Sequence, residues 1–303
     1  MLILEQLLNG VQFGVTLFLM SAGLTLIFGI MGVINLAHGS LYMIGAYAAA
    51  IVAEHTGSLW LALFGGLTAV AVSGIVIEFI VIRRLYGRDH LDQVLATYAL
   101  ILIVNQGTSM LFGRQPLFMS MPTALSGSIT LLPGLVYPVY RLNVIVVGLL
   151  VAAGLFLLIN YTRVGMLVRA GSTHRQMVRA LGVNVRLLYT MVFGLGALLA
   201  GLAGVIAGPI TAVQVGMGEQ ILILAFVVVV IGGVGSVRGA FFGALAAGIV
   251  DTTTRAFLPV ILGQLMDGPN ADALASGMSS ISIYLLMALV LLIRPQGLLV
   301  GKP

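Results

Sequence analysis

The 303-residue chain has no cysteine, one tryptophan and a single lysine, Lys302, and only 8% of its residues are charged. Lack of cysteine excludes disulfides, thiolate metal sites and thiol nucleophiles together. Scarcity of lysine excludes a P-loop: that phosphate cradle needs a Gly-rich turn ending in Lys and then Ser or Thr, and Lys302 is followed by Pro303. The four histidines, His38, His55, His90 and His174, form no H-E-x-x-H pair, and no G-x-S-x-G elbow occurs. Metal-assisted and serine hydrolysis therefore lack the residues they need. A soluble domain carries about 25% charged residues, so this chain cannot clothe a water-facing surface.

What the chain has instead is apolar length. Sixty per cent of it is hydrophobic, and a bilayer core of about 30 Å takes roughly 20 helical residues to cross. The pattern predicts an all-α polytopic membrane protein of about eight or nine spans, one domain over 1–303. No Asp, Glu, Lys or Arg occurs between Glu5 and Glu54, which leaves room for two helices with a break. The glycines of GIMGVINLAHGS place that broken helix near residues 29–40. Further spans read at 59–82, 93–112, 143–161, 188–209, 219–232, 239–258 and 277–293, the run at 219–232 being short. The first basic residue is Arg83, so the apolar start lacks the cationic region of a cleaved signal peptide and reads as a retained span. Alternation of these spans puts the basic islands at 83–88 and 163–186, with Arg238, Arg294 and Lys302, on one side. Only Arg114, Arg141 and Arg255 fall on the other. By the positive-inside rule the N-terminus is external and the C-terminus cytoplasmic. Basic residues clustered in short islands orient a membrane protein rather than bind nucleic acid.

The segment from Gly113 to Arg141 holds Pro116, Pro122, Pro133 and Pro138, which rules against a continuous helix; its SGSITLLPGL reads as a small external hairpin. Small residues recur at helical spacing in Gly196, Ala200, Gly204 and Gly208 and in Gly239, Gly243 and Ala247. In lipid, such ladders let backbones approach and hold a bundle by dispersion. Gly32 and Gly39 are echoed by Gly232 and Gly239, a hint of duplicated halves.

Three groups of residues could carry function. The first is Asn35, His38, Gly39 and Ser40 in the break, where uncompensated helix-end N–H groups suit a polar solute and Asn35 reads as a cap; the alternative is a tight interfacial turn. The second is the polar stretch 162–189. As a helix it puts Met177, Val178 and Leu181 on one face and Arg175 and Arg179 on another, before Gly182 stops it. That is an apolar knob for a partner's groove or a helix lying on lipid headgroups. The third is the ionisable set inside apolar spans. Asp251 and Arg255, spaced i, i+4, form a buried ion-pair candidate, Glu78 sits beside Arg83 and Arg84 as an anchor, and Asn105 and Gln106 suit interhelical hydrogen bonds.

Four ordered motifs carry a family resemblance: GLTLIFGIMGVINLAHGSLYMIGAY at 23–47, RALGVNVRLLYTMVFGLGALLAGLAGVIAGP at 179–209, LILAFVVVVIGGVGSVRGAFFGALAAGIV at 222–250 and RPQGLL at 294–299. The chain resembles the permeases of branched-chain amino acid ABC importers, of the type that pairs with a second related permease. The resemblance implies a heterodimer of permeases, two ATPase subunits that hold ATP and Mg, and an external solute-binding protein, in a bacterial plasma membrane. This chain itself would hold no cofactor. It implies a coupling helix in the 162–188 loop around Arg175, Met177, Val178, Arg179, Ala180, Leu181 and Gly182. Only Ala180 and Gly182 match the Glu-Ala-Ala-containing pattern of many such importers. It also implies docking of the binding protein on external segments such as 113–142 and 259–275. Related permeases carry urea and short amides, so these remain alternative solutes. A stand-alone channel or an ion-coupled carrier using Asp251 is the rival from another class.

Overall fold

The computed structural model describes residues 2–121, 125–173, 175–180, 182–265 and 268–299. Pro122, His174, Leu181 and Lys302 lie outside them, as does part of 259–275. Helix α1 spans Leu2–Met31 and α2 spans His38–Thr56. A third rod runs without interruption as α3 (Leu59–Ile77), a π-helical turn (Glu78–Ile82) and α4 (Arg83–Leu85). Then come α5 (His90–Phe112), the hairpin β1 (Ser128–Leu132) and β2 (Leu135–Pro138), and α6 (Val139–Tyr161). Two short helices follow, α7 (Arg163–Thr173) and α8 (Arg175–Ala180). The chain continues with α9 (Val185–Ala207), α10 (Met217–Gly232), α11 (Val237–Leu262) and α12 (Gly268–Ile293).

Among the described residues, 7 helices are long and apolar enough to cross a membrane, the third rod counting as one of them. Shorter α2 and α10 complete the nine apolar segments expected from the sequence. The boundaries move outward most at α11 and α12. Helix α12 starts at Gly268 rather than near residue 277, because Pro269 fits a first helical turn and Ala271 and Ala275 are buried on one face while Asp272 faces out. Helix α11 runs through Pro259 to Leu262. The hairpin forms as predicted, antiparallel, with Ile129 opposite Tyr137. Beside it Leu117 and Val213 exchange backbone hydrogen bonds of 2.9 Å, tying the 113–121 segment to the α9–α10 connection.

Helix α1 is the buried axis of the bundle, packed by α11, α9, α10 and α6, while α2 packs on α3, α9 and α10. The small-residue ladders make these contacts. Gly196 of α9 lies on Gly23 of α1 and Gly204 on the backbone of Tyr42 and Ala46; on α11 the ladder residues Gly239 and Gly243 meet Gly232 of α10, and it is Gly248, outside the ladder, that lies on Gly10 and Gly14 of α1. A methyl group on any of them would collide with backbone, so the close approach that holds helices together in lipid depends on its absence. Gly232 and Gly239 face each other across the α10–α11 turn, whereas Gly39 meets Gly218 instead. The two glycine pairs of the apparent repeat therefore play different parts.

Candidate functional site

Residues 32–37 leave the helical path after Met31, with Gly32 at φ +64°. The chain doubles back, and α2 begins at His38 against Gly23 of α1. Gly23 in turn touches Gly196, midway along α9. Helix α2 thus starts inside the bundle, not at its end. Helix α10 starts there too: Gly39 and Gly218 are in backbone contact, each leaving no room for a side chain on the other. From this junction α2 leads toward the hairpin end. Helix α10 leads the other way, to the turn where Gly29 of α1 packs against Gly235. Two helices therefore bring their N-termini, the positive ends of their dipoles, together in the interior.

The expected cap is absent. Asn35 does not close α2 with its side chain; the N-cap position is Ala37, which makes no side-chain bond, and the Asn35 carbonyl accepts from the His38 N–H at 3.3 Å. The tight turn through Leu36 and Ala37 uses the backbone of Asn35 and leaves its amide elsewhere. Both polar atoms of that amide and both ring nitrogens of His38 are fully buried without a hydrogen-bond partner, although the Met20 backbone lies close to the imidazole. Such groups cost about 1–3 kcal/mol each when unpaired, so the break carries a desolvation cost that the packing around it must offset. Ser40 is buried beside them.

The break is held from α5, a contact that no sequence pattern announces. Gln93 accepts from the Ile34 N–H at 3.0 Å and Thr97 from the Leu36 N–H at 3.2 Å, and the Gln93 amide also donates to the carbonyls of Leu85 and Arg88. The π turn above them buries Glu78, 1% exposed, which accepts from Arg83 at 3.2 Å and from the Tyr86 hydroxyl at 2.5 Å. Arg83 donates onward to Thr190 of α9 at 3.1 Å. Glu78 is therefore a buried pair member rather than a surface anchor. Asn105 does hydrogen-bond between helices, to Glu219 in the first turn of α10, while Gln106 is exposed.

At the opposite end of α9, α8 begins at Arg175 and stops where Gly182 takes φ +82° and donates to the Arg179 carbonyl at 3.1 Å. Met177, Arg179 and Ala180 are exposed. Val178 is turned inward at 4% exposure against Met177 at 62%. The protruding knob is thus Met177 without Val178, because an i, i+1 step turns about 100° around a helix. Asn184 caps α9 by accepting from the Leu187 N–H. Asp251 and Arg255 form their predicted pair at 2.9 Å, the carboxylate buried and the guanidinium half-exposed. The RPQGLL tail closes α10: Leu298 and Leu299 donate to the carbonyls of Ile231 and Gly232 at 2.8 and 3.1 Å, satisfying helix-end acceptors that would otherwise be orphaned.

A bundle of this kind, with broken helices meeting at mid-depth and an exposed helical knob at one end, is that of a polytopic membrane transporter. The chain belongs to the family described as branched-chain amino acid transport system / permease component, whose model matches residues 6–293. It is 30% identical over 314 residues to the high-affinity branched-chain amino acid transport system permease protein BraD of Pseudomonas aeruginosa, covering 99% of this chain and 96% of that one. It is 28% identical over 322 residues, with the same coverage, to the permease protein LivH of Escherichia coli K12. A probable branched-chain amino acid transport permease of Methanocaldococcus jannaschii is 25% identical over 93% of this chain and 88% of its own. No solved structure matches the chain.

Proposed function

We propose that this chain is one of two membrane-spanning subunits of an ATP-driven importer for branched-chain amino acids in a bacterial plasma membrane. The observation that carries the reading is the end-to-end family match at 6–293 on a bundle whose interior holds two opposed helix N-termini. Its partners are a second related permease, two ATPase subunits that bind ATP and Mg, and a solute-binding protein that docks at the hairpin end. The N-terminus is external and the C-terminus cytoplasmic, which places α8 in the cytoplasm.

Transport proceeds by alternating access. Met177, flanked by Arg175 and Arg179, seats in an ATPase groove, and nucleotide-driven closure moves α8 against the start of α9. From there a polar line runs through Thr190, Arg83, Glu78 and Tyr86 to α4, and through Gln93 to Ile34 in the break at 32–37. Movement of α5 would thereby reach Asn35, His38, Gly39 and Ser40, the proposed solute path. The Asp251–Arg255 pair fixes α11 and carries no proton in this scheme.

The test is uptake by proteoliposomes. Vesicles holding the complete assembly with its binding protein should concentrate leucine only with ATP, and vesicles holding this chain alone should not. Uphill accumulation by this chain without nucleotide would overturn the reading in favour of an ion-coupled carrier.

A further inference from the structure

A crevice of about 330 Å³ lies against the N-terminal end of α10 and beside Tyr42 of α2, on the hairpin side of the Gly39–Gly218 contact. Its polar lining includes Gln12 and Thr16 of α1, Gln214 in the α9–α10 connection and Gln220 of α10. Phe13 and Leu224 are among its apolar residues. Gln12 is 8% and Thr16 5% exposed, and the two share a weak contact of 3.4 Å. Gln214 and Gln220 form no side-chain hydrogen bond with another described residue. Among the described residues, no charged side chain lines it.

We infer that this crevice is a solute-reading site within the permease: Gln12, Gln214 and Gln220 hold the polar end of an amino acid of zero net charge, and Phe13 and Leu224 receive its aliphatic side chain. The inference rests on the importer reading above. Its chemistry follows from the lining. Carboxamides both donate and accept, so three of them serve a carboxylate and an ammonium alike, and two helix N-termini nearby favour the carboxylate. A site with no fixed charge has nothing to neutralise a side chain that carries its own. The crevice is also at the low end of the range of about 300–1,000 Å³ for small-molecule sites. Selectivity would then not belong to the binding protein alone.

The experiment compares wild type with Gln220→Leu, Gln220→Asn and Gln12→Leu in the complete reconstituted assembly, with leucine as the labelled solute and valine, lysine and glutamate as competitors. Co-purification of all subunits checks each variant's integrity, and exposed Gln220 can be replaced without disturbing the fold. Gln220→Leu should cut leucine uptake about tenfold, the equivalent of one lost hydrogen bond to a charged group, with part of the loss restored in Gln220→Asn. Lysine and glutamate should compete poorly in wild type. Unchanged uptake and competition in intact Gln220→Leu and Gln12→Leu assemblies would overturn the crevice assignment while leaving the importer reading standing. A wild-type assembly that takes up no leucine with ATP overturns the importer reading, and the crevice assignment with it.

Discussion

Gly39 shows how much can depend on one hydrogen atom. A β-carbon there would strike the carbonyl of Gly218, and one on Gly218 would strike Gly39 in return. Overpacking of a close interface costs about 1–3 kcal/mol, and here the strain falls where two helices meet. Gly39→Val should therefore pry α2 from α10 and lower the melting temperature of the purified chain. Replacing Gly107 of α5 by Ala, where a β-carbon meets nothing within 4 Å, should leave it unchanged. Equal melting of the two variants would show that the contact is not tight. The sequence exposed Gly39 as part of a break but not its partner, since Gly218 is far away along the chain and bears no local mark. Likewise Asn35 has the side chain of a cap, and only the fold reveals that the turn through Ala37 denies it that use.

Among the elements, the long apolar ones were legible because lipid imposes their length and composition. Their edges were not. Polar first turns such as that of α12 dilute the hydropathy signal, yet they form once one face is buried. The hairpin was legible from alternation, and α8 from its glycine stop. What escaped was the division of α8 into exposed Met177 and buried Val178, which depends on how α8 docks on its neighbours. The two residues make separate predictions. Met177→Asp should abolish co-purification of the ATPase, or its coupling to uptake, with the permease still folded. Val178→Asp, which buries a charge, should instead lower yield and thermal stability in detergent. Similar behaviour of the two variants in both assays would refute the assignment of a single knob. The contacts of Gln93 and Thr97 with the Ile34 and Leu36 N–H groups were also invisible to sequence reading, because hydrogen bonds to backbone carry no pattern.

For the whole molecule, the absence of cysteine turns orientation into a direct measurement. Thr130 of β1 and Arg179 of α8 are both exposed and lie at opposite ends of the bundle. In intact spheroplasts, a membrane-impermeant maleimide should label Thr130→Cys, and label Arg179→Cys only after permeabilisation. The reverse pattern would invert the proposed topology. Family and fold class were readable in the motifs because whole segments of the chain serve one packing task. The proposed crevice was not, because Gln12 lies far along the chain from Gln214 and Gln220, and each is unremarkable alone.

Helices α2 and α10 both begin at one contact inside the bundle and run away from it in opposite directions, so that level is a seam between two helix ends rather than a continuous wall. Glycine backbone meets glycine backbone at Gly39 and Gly218, with the Leu222 side chain beside them. Sliding one end along the other would open a passage without unwinding any helix, and the reverse slide would let it shut again behind the cargo.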